Sequence, residues 1–288
     1  MNKIDSHAYL IMAHNEPEAL RLLLTVIDDP RNNVYIHIDQ RATSLYPNEI
    51  LKWCHHAKIY FIERQKIYWG GHTMVNVMVS LLKCAVKHHN IYYHLLSGVD
   101  LPLQSQNHLH DFFNADPKWE YISTGKVTTW KISSRYKYYY PEKITEIVSR
   151  DSYRVLRVFF AALQALFLID RTRRKKLEYH MGSQWFSITH NFANYVLEQE
   201  KFIERNFNYG FCVDEVFLPT LVMNSPFKKN VSPLMNIRYI DWDRGKPYTW
   251  ELEDFKELTT KMNVKFARKF SYKNHPELMD KMKSYLLG

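Results

Sequence analysis

Apolar residues in the first third of the chain fall into short runs that alternate with segments of helical period. HAYLIMAH, from His7 to His14, is a near-continuous apolar stretch that predicts a buried strand. The next segment, NEPEALRLLLTVID, sets Leu20, Leu23, Leu24 and Ile27 three and four residues apart. That spacing predicts a helix, with Asn15 as N-cap and Pro17 in the first turn. NVYIHIDQ alternates Val34, Ile36 and Ile38 with Tyr35, His37 and Asp39, which predicts a second strand. EILKWCHHA predicts a helix and KIYFIE a third strand. A WGG turn leads into a long helix, HTMVNVMVSLLKCAVKHH, then a fourth strand, IYYHLLSG, and a helix, SQNHLHDFFNA. Strands alternating with helices at this spacing imply an α/β fold: a mostly parallel central sheet with helices on both faces.

Beyond Glu120 the alternation loosens. KVTTWKISSRYKYYYPEK is basic and aromatic, WFSIT predicts a strand, and HNFANYVLEQEKFIERN a helix. LEDFKELTTKM and HPELMDKMKSYLL predict the last helices. No repeat or low-complexity linker interrupts the chain, so residues 1–288 read as one continuous domain. Two segments break the ordinary pattern. FCVDEVFL, from Phe211 to Leu218, sets Asp214 and Glu215 inside an apolar run, where an uncompensated carboxylate is costly. In the second, Val158 to Ile169 is apolar except for Gln164. Arg154 and Arg157 flank it on one side, and Arg171, Arg173, Arg174, Lys175 and Lys176 on the other. It is too short to span a bilayer, and the pattern is that of a helix lying on anionic lipid. The competing expectation is a buried helix followed by a solvated basic turn.

The net charge of +9 favours anionic partners of some kind. No zinc-type Cys/His spacing or aromatic RNA-binding sequence is present, so nucleic acid is not the expected partner. The aromatic content of 15% suits stacking on sugars and bases. Cys54, Cys84 and Cys212 are odd in number and far apart, which fits a reducing compartment rather than a disulfide framework. The N-terminal run is interrupted by His7 and His14 and has no leader-like cleavage site, so the expected location is cytoplasmic, with peripheral contact on the inner membrane face through 154–176. The 14 histidines contain no HExxH, and the adjacent pairs point apart on a helix, so no metal site is expected.

Ligands of open parallel sheets bind beyond the carboxyl ends of the strands. Those ends carry His14-Asn15-Glu16, His37 to Asp39, and Ser97-Gly98 followed by Asp100. Neither G-x-G-x-x-G nor a Walker A sequence occurs, so a bound nucleotide would be held by base and ribose, with a separate basic element meeting its phosphates.

YLIMAHNEPEALRLLLTVIDDPRNNVYIHIDQRA, IYWGGHTMVNVMVSLL, YYHLLSGVDLPLQS, GSQWFSITHNFANYVL, CVDEVFLPTLV and FARKF occur in that order, from about Tyr9 to Phe270. Together they resemble the core-2/I-branching β-1,6-N-acetylglucosaminyltransferases and peptide xylosyltransferases, in a compact bacterial-type form. The resemblance implies a GT-A-like nucleotide-sugar fold, with 1–115 binding the nucleotide and 116–288 the acceptor and diphosphate. It also implies an inverting mechanism that uses a UDP-sugar co-substrate and no metal. The one D-x-D, Asp241-Trp242-Asp243, lies late in the chain, away from the strand ends where a metal-binding motif would sit.

Residue by residue, the resemblance makes Glu215 the general base. An apolar surround favours the neutral form of a carboxyl, which suits a base working near pH 7. Lys269 matches the lysine on the diphosphate, with Arg244, Lys246 or Arg268 as its basic partner. His14, Asn15, Asp39, Ser97, Gly98 and Asp100 fall on the donor side. Glu120, Trp242 and Asp214, with Lys131 and Arg135 assisting, fall on the acceptor side; Asp214 could instead hold a backbone or helix end. The acceptor would be a glycan or a lipid-linked glycan. Two other readings stay open: a metal-dependent GT-A transferase with Asp39 or Asp100 as ligand, using UDP-xylose, UDP-galactose or UDP-glucose, and a non-catalytic glycan- or polyanion-binding protein.

Overall fold

The computed structural model describes residues 5–288 apart from Ile147, Arg174, Lys175 and Lys246. The first half runs β1 (His7–Ala13), α1 (Pro17–Val26), β2 (Asn32–Ile38), α2 (Pro47–Ile50), β3 (Lys58–Phe61), α3 (Thr73–Ala85), β4 (Tyr92–Ser97), β5 (Asp100–Pro102) and α4 (Gln106–Asn114). It continues with β6 (Gly125–Lys126), α5 (Trp130–Lys137), α6 (Arg150–Leu166), β7 (His180–Met181), β8 (Ser187–Thr189), α7 (His190–Glu198), α8 (Glu200–Phe207) and α9 (Phe217–Met223). The last elements are β9 (Arg238–Ile240), α10 (Phe255–Thr260), β10 (Phe266–Arg268) and α11 (Pro276–Leu287).

The central sheet has the order β3-β2-β1-β4-β8, parallel except for β8, which runs antiparallel to β4. Every residue of β1 is buried, and alternate residues enter different cores. Tyr9, Ile11 and Ala13 pack with Leu20, Leu23 and Leu24 of α1, Phe113 of α4 and Met279 of α11. Ala8, Leu10 and Met12 pack with Val75, Met78 and Leu82 of α3, Phe192 of α7 and Leu221 of α9. Covering on both faces is what a parallel sheet requires and explains the apolar runs of its strands. A second sheet, β5-β10-β9, pairs β10 antiparallel to β5 and puts Arg268 opposite Asp100 across 168 residues of sequence.

Three local expectations are corrected. The N-cap position of α1 is Glu16 rather than Asn15; it has φ 53 and caps no helix amide with its side chain, its carboxylate accepting instead from Ser271 Oγ (2.7 Å) and Lys273 N (3.3 Å). The helix expected through Ala57 ends by Trp53, because the Asp28 carboxylate takes the amides of His55, His56 and Ala57, each at 2.8 Å. The helix expected over 190–206 is split at Gln199 into α7 and α8.

A chain of polar rings runs through the core. His7 Nε2 bonds Asn114 Oδ1 (3.0 Å), His94 Nε2 bonds His7 Nδ1 (3.2 Å), and His94 Nδ1 bonds Ser187 Oγ (2.8 Å). His110 stacks on His7 with ring centres 4.0 Å apart. Burial lowers His7 to about 3 and His110 to about 4, and holds His94 well below 6.5. Because the unfolded chain takes up these protons near 6.5, the stability these rings contribute is complete above that pH and is lost as the pH falls toward 4 and 3. Glu120 and Asp214, raised by burial to about 7, act in the opposite sense, favouring the fold more as the pH falls from 7 toward their ordinary values of 4.5 and 3.8. Below that range they add nothing further. His37 is lowered by burial in the same way, to about 4, so the imidazoles outnumber the two carboxyls; we therefore expect a melting temperature that falls moderately from about pH 6.5 to 4.5 and more steeply below. Each imidazole kept neutral by the fold removes about 1.4 kcal/mol of stability for every further step of one in pH. Thermal melts from pH 7 to 3 check this, and a flat curve to the acid end would show the imidazoles to be charged in the fold.

Candidate active site

The carboxyl ends of β1, β2 and β4 lie side by side. Asp39, just past β2, is fixed by its own loop: Oδ1 accepts from Arg41 N (2.8 Å) and Arg41 Nε (3.0 Å), and Oδ2 from Ile67 N (3.2 Å). Burial opposes its ionisation, but these hydrogen bonds prevail and hold it below the usual carboxylate range. Arg64 staples the same loop through the carbonyls of Asp39, Gln40 and Ala42. His14 and Asn15 are exposed at the mouth beside it. Partial burial lowers the His14 imidazole; Asp39 works against this, and the cations Arg268, Lys269 and Arg41 reinforce it. So the charge of β10's end is felt at the end of β1. Gly98 lets the ends of β1 and β4 approach, since a Cβ there would stand 3.3 Å from that of Ala13.

The β5–β10 register builds the next group. Arg268 Nη1 donates to Asp100 Oδ1 (2.9 Å) and Ser97 Oγ (2.6 Å), while Asp100 also accepts from Ser97 Oγ (2.7 Å) and Ser97 N (2.8 Å). The guanidinium lies over Trp185 at 4.4 Å from the ring centre. Its other N–H groups, and the Lys269 ammonium next to it, have no hydrogen-bond partner among the described residues. Two adjacent cations with unspent donors, beyond the carboxyl ends of the strands, suit an anion such as a diphosphate.

The acidic pair sits on a single turn of 3-10 helix, Val213–Glu215, entered through Cys212 at φ 46. Adjacent residues on such a turn point in different directions. Asp214 turns into the protein, is 4% exposed, and is raised to about 7 by burial and then by the charge of Glu215. Glu215 turns outward with its side chain 32% exposed, and Arg135 Nη1 of α5 donates to its Oε2 at 2.5 Å. The burial expected of Glu215 therefore falls on its neighbour, and the outward carboxylate has a cation to hold it in place.

One short segment joins the two groups. Gly182 N donates to Glu215 O (2.8 Å), and three residues later Trp185 underlies Arg268. Three residues span at most about 11 Å of backbone. The turn that carries Glu215 and the indole beneath Arg268 are thus anchored three residues apart on one stretch of backbone. Gly182 is required there: a Cβ would meet Ser123 O at 1.8 Å. Neither Gly182 nor Trp185 was singled out from the sequence, although the block GSQWFSIT contains both; their partners are set by tertiary contacts alone.

Other expected site residues are placed differently. Glu120 has no exposed surface, and its two oxygens accept from Thr189 N (2.9 Å) and Thr189 Oγ1 (2.6 Å), so it anchors the start of α7 and cannot meet an acceptor. Asp214 is buried for the reason given, and it too is withdrawn from the acceptor side. Arg244 is held by Asp241 (2.6 Å) and Asp254 (2.7 Å) and lies over Tyr248, which commits its guanidinium away from the cation pair. Lys246 lies outside the described residues. Asp241 of the D-x-D is turned onto its own loop, accepting from Asp243 N (2.8 Å) and Arg244 N (3.1 Å). Trp242 between them is 62% exposed, with its indole open to solvent. Lys131 is exposed one helical turn from Arg135 on α5. No group of three or more His, Cys, Asp or Glu side chains converges in a metal-binding arrangement among the described residues.

Comparison with known proteins agrees with the resemblance in the sequence. Residues 7–263 match the core-2/I-branching enzyme family, a span that takes in His14, Asp39, Asp100, Arg135 and Glu215 and stops short of Arg268. Xylosyltransferase 2 of Rattus norvegicus is 21% identical over 309 residues, covering 98% of this chain and 34% of the relative. Xylosyltransferase 2 of Mus musculus is 20% identical with the same coverage. The chain thus spans about a third of the length of the curated relatives it matches. Among solved structures, mouse xyloside xylosyltransferase 1 in its apo form aligns with 92% of this chain and 97% of its own at 11% identity, with a TM-score of 0.39. The family match over nearly the whole sequence decides the assignment: the chain belongs to the core-2/I-branching enzyme family of glycosyltransferases.

Proposed function

We propose that the chain is an inverting, metal-independent glycosyltransferase of GT-A-like fold, working as one domain. It moves GlcNAc in β linkage from a UDP-sugar to a glycan hydroxyl. The observation that carries this reading is that one short stretch, Gly182–Trp185, anchors both the turn of the outward Glu215 carboxylate and the indole under Arg268, whose neighbour Lys269 has an unspent ammonium. The acceptor hydroxyl gives its proton to Glu215 as its oxygen bonds to the anomeric carbon. The bond from that carbon to the diphosphate oxygen breaks on the opposite face, and UDP leaves with the electron pair. Lys269 and Arg268 stabilise the charge that develops on the diphosphate. Arg135 orients Glu215, Lys131 and Trp242 lie on the acceptor side, and the strand-end loops of His14 and Asp39 receive the nucleoside. Each carboxylate offered as a metal ligand in the alternative reading, Asp39 or Asp100, already carries an arginine partner, which supports the cationic reading.

The names of the relatives favour UDP-xylose as the second donor to try. Incubation with UDP-GlcNAc, UDP-xylose, UDP-galactose and UDP-glucose, each in EDTA and in Mn²⁺, measures UDP release. Release in EDTA from one donor is the expected result. Release only with Mn²⁺ would establish the metal-dependent reading, and no release from any donor with any glycan acceptor would leave a binding protein.

A further inference from the structure

Helix α6 has two apolar faces, and only one is covered. Its inner face carries Tyr153, Arg157 and Ala161, which pack against Phe211 and Tyr140. Gln164, the one polar residue between Val158 and Ile169, also turns inward, bonding Tyr139 N (2.9 Å) and Tyr139 O (3.0 Å). The outer face is left with Val155, Val158, Phe159 and Leu163 in the open, at helical spacing. The helix then ends in a turn, with Leu168 at φ 55, that projects Leu166 (77% exposed), Phe167 (69%) and Leu168 (76%) into solvent. Arg173 and Lys176 follow and are exposed, whereas Arg157, a base expected to flank the apolar run, is buried against Phe211. Arg174 and Lys175 lie outside the described residues.

We infer that this outer face docks on the surface of an anionic lipid bilayer. Among the described residues no helix is long and apolar enough to cross a membrane, so the face lies on the bilayer rather than through it. An apolar stripe followed by the exposed cations Arg173 and Lys176 is complementary to acyl chains beneath anionic headgroups, while the side chain of Arg154 lies outside the described residues. A second copy of the chain fits less well, because it would bring the same basic run against itself. The covered side of α6 is one layer from the site: Arg157 lies over Phe211 (4.7 Å) and donates to Ser134 Oγ (3.3 Å), next to Arg135. Docking therefore holds α5, which carries Arg135, one helix layer from the bilayer surface. If the proposed transfer holds, the acceptor is a glycan on a lipid carrier; the docking itself does not depend on it.

Vesicle co-sedimentation tests the inference without any activity readout. The protein is expected to sediment with phosphatidylcholine–phosphatidylglycerol vesicles at low salt, and poorly with phosphatidylcholine alone. Phe167→Ser with Leu168→Ser should weaken binding by about ten-fold or more, since affinity scales with inserted apolar area, and should leave the melting temperature unchanged. Arg173→Glu with Lys176→Glu should abolish the preference for anionic lipid. Three results would overturn the inference: no sedimentation with anionic vesicles, undiminished binding by the serine variant, or a dimer in light scattering that the serine variant turns into monomer.

Discussion

Glu215→Gln is expected to lower kcat by about 10²–10⁴-fold, the usual contribution of a positioned general base, while UDP binding stays unchanged. The substitution keeps the shape of the side chain and its bond to Gly182 through the backbone, and removes the group that takes the acceptor proton. Its effect on stability should be small. The pair with Arg135 is partly open to solvent, and water takes over much of what the carboxylate provided. Activity and melting temperature should thus separate: turnover collapses and the fold does not. If steady-state kinetics showed turnover within a few-fold of wild type, Glu215 would not be the base.

The two cations should respond differently to removal, although they are neighbours in sequence. Lys269→Met should reduce turnover by about 10²–10³-fold, as expected for losing one preorganised stabiliser of developing charge. It should leave the melting temperature of the ligand-free protein unchanged, because the lysine has no protein partner among the described residues to abandon. Arg268→Met should be inactive and also unstable. It leaves Asp100, only 3% exposed, as a buried carboxylate without its cation, and breaking a buried pair costs roughly 3–5 kcal/mol. Arg268→Lys would not restore it, since an ammonium cannot stack flat on Trp185 while bonding both Asp100 and Ser97. Paired measurements of donor turnover and unfolding on the three variants check this contrast. Equal destabilisation by Lys269→Met would mean that the lysine is a structural residue.

The elements legible in the sequence were those whose own period specified them. β1, β2, α3 and β4 lie where apolar runs and helical spacing put them, because covering a parallel sheet on both faces leaves a strong local signature. What the sequence hid was decided by partners distant along the chain. Nothing near Asp28 announces that its carboxylate will stop a helix at Trp53. Glu120 in WEYI looks like any exposed acid, and only the meeting of that segment with Thr189 buries it. Arg268 acquires Asp100 through the register of an antiparallel pair between segments 168 residues apart. In DE, periodicity could not say which carboxylate turns inward; one turn of 3-10 helix decides that Asp214 is buried and Glu215 is not.

If side-chain cations rather than a metal hold the donor diphosphate, UDP should bind without a divalent ion. The melting temperature of the wild-type protein with UDP in excess EDTA, beside the same titration in Mn²⁺, decides this. A ligand that binds only the folded state raises the melting temperature. A UDP-dependent rise of the same size in both conditions, lost in Lys269→Met, is the expected result. A rise that appears only with Mn²⁺, or none with any uridine nucleotide, would contradict it.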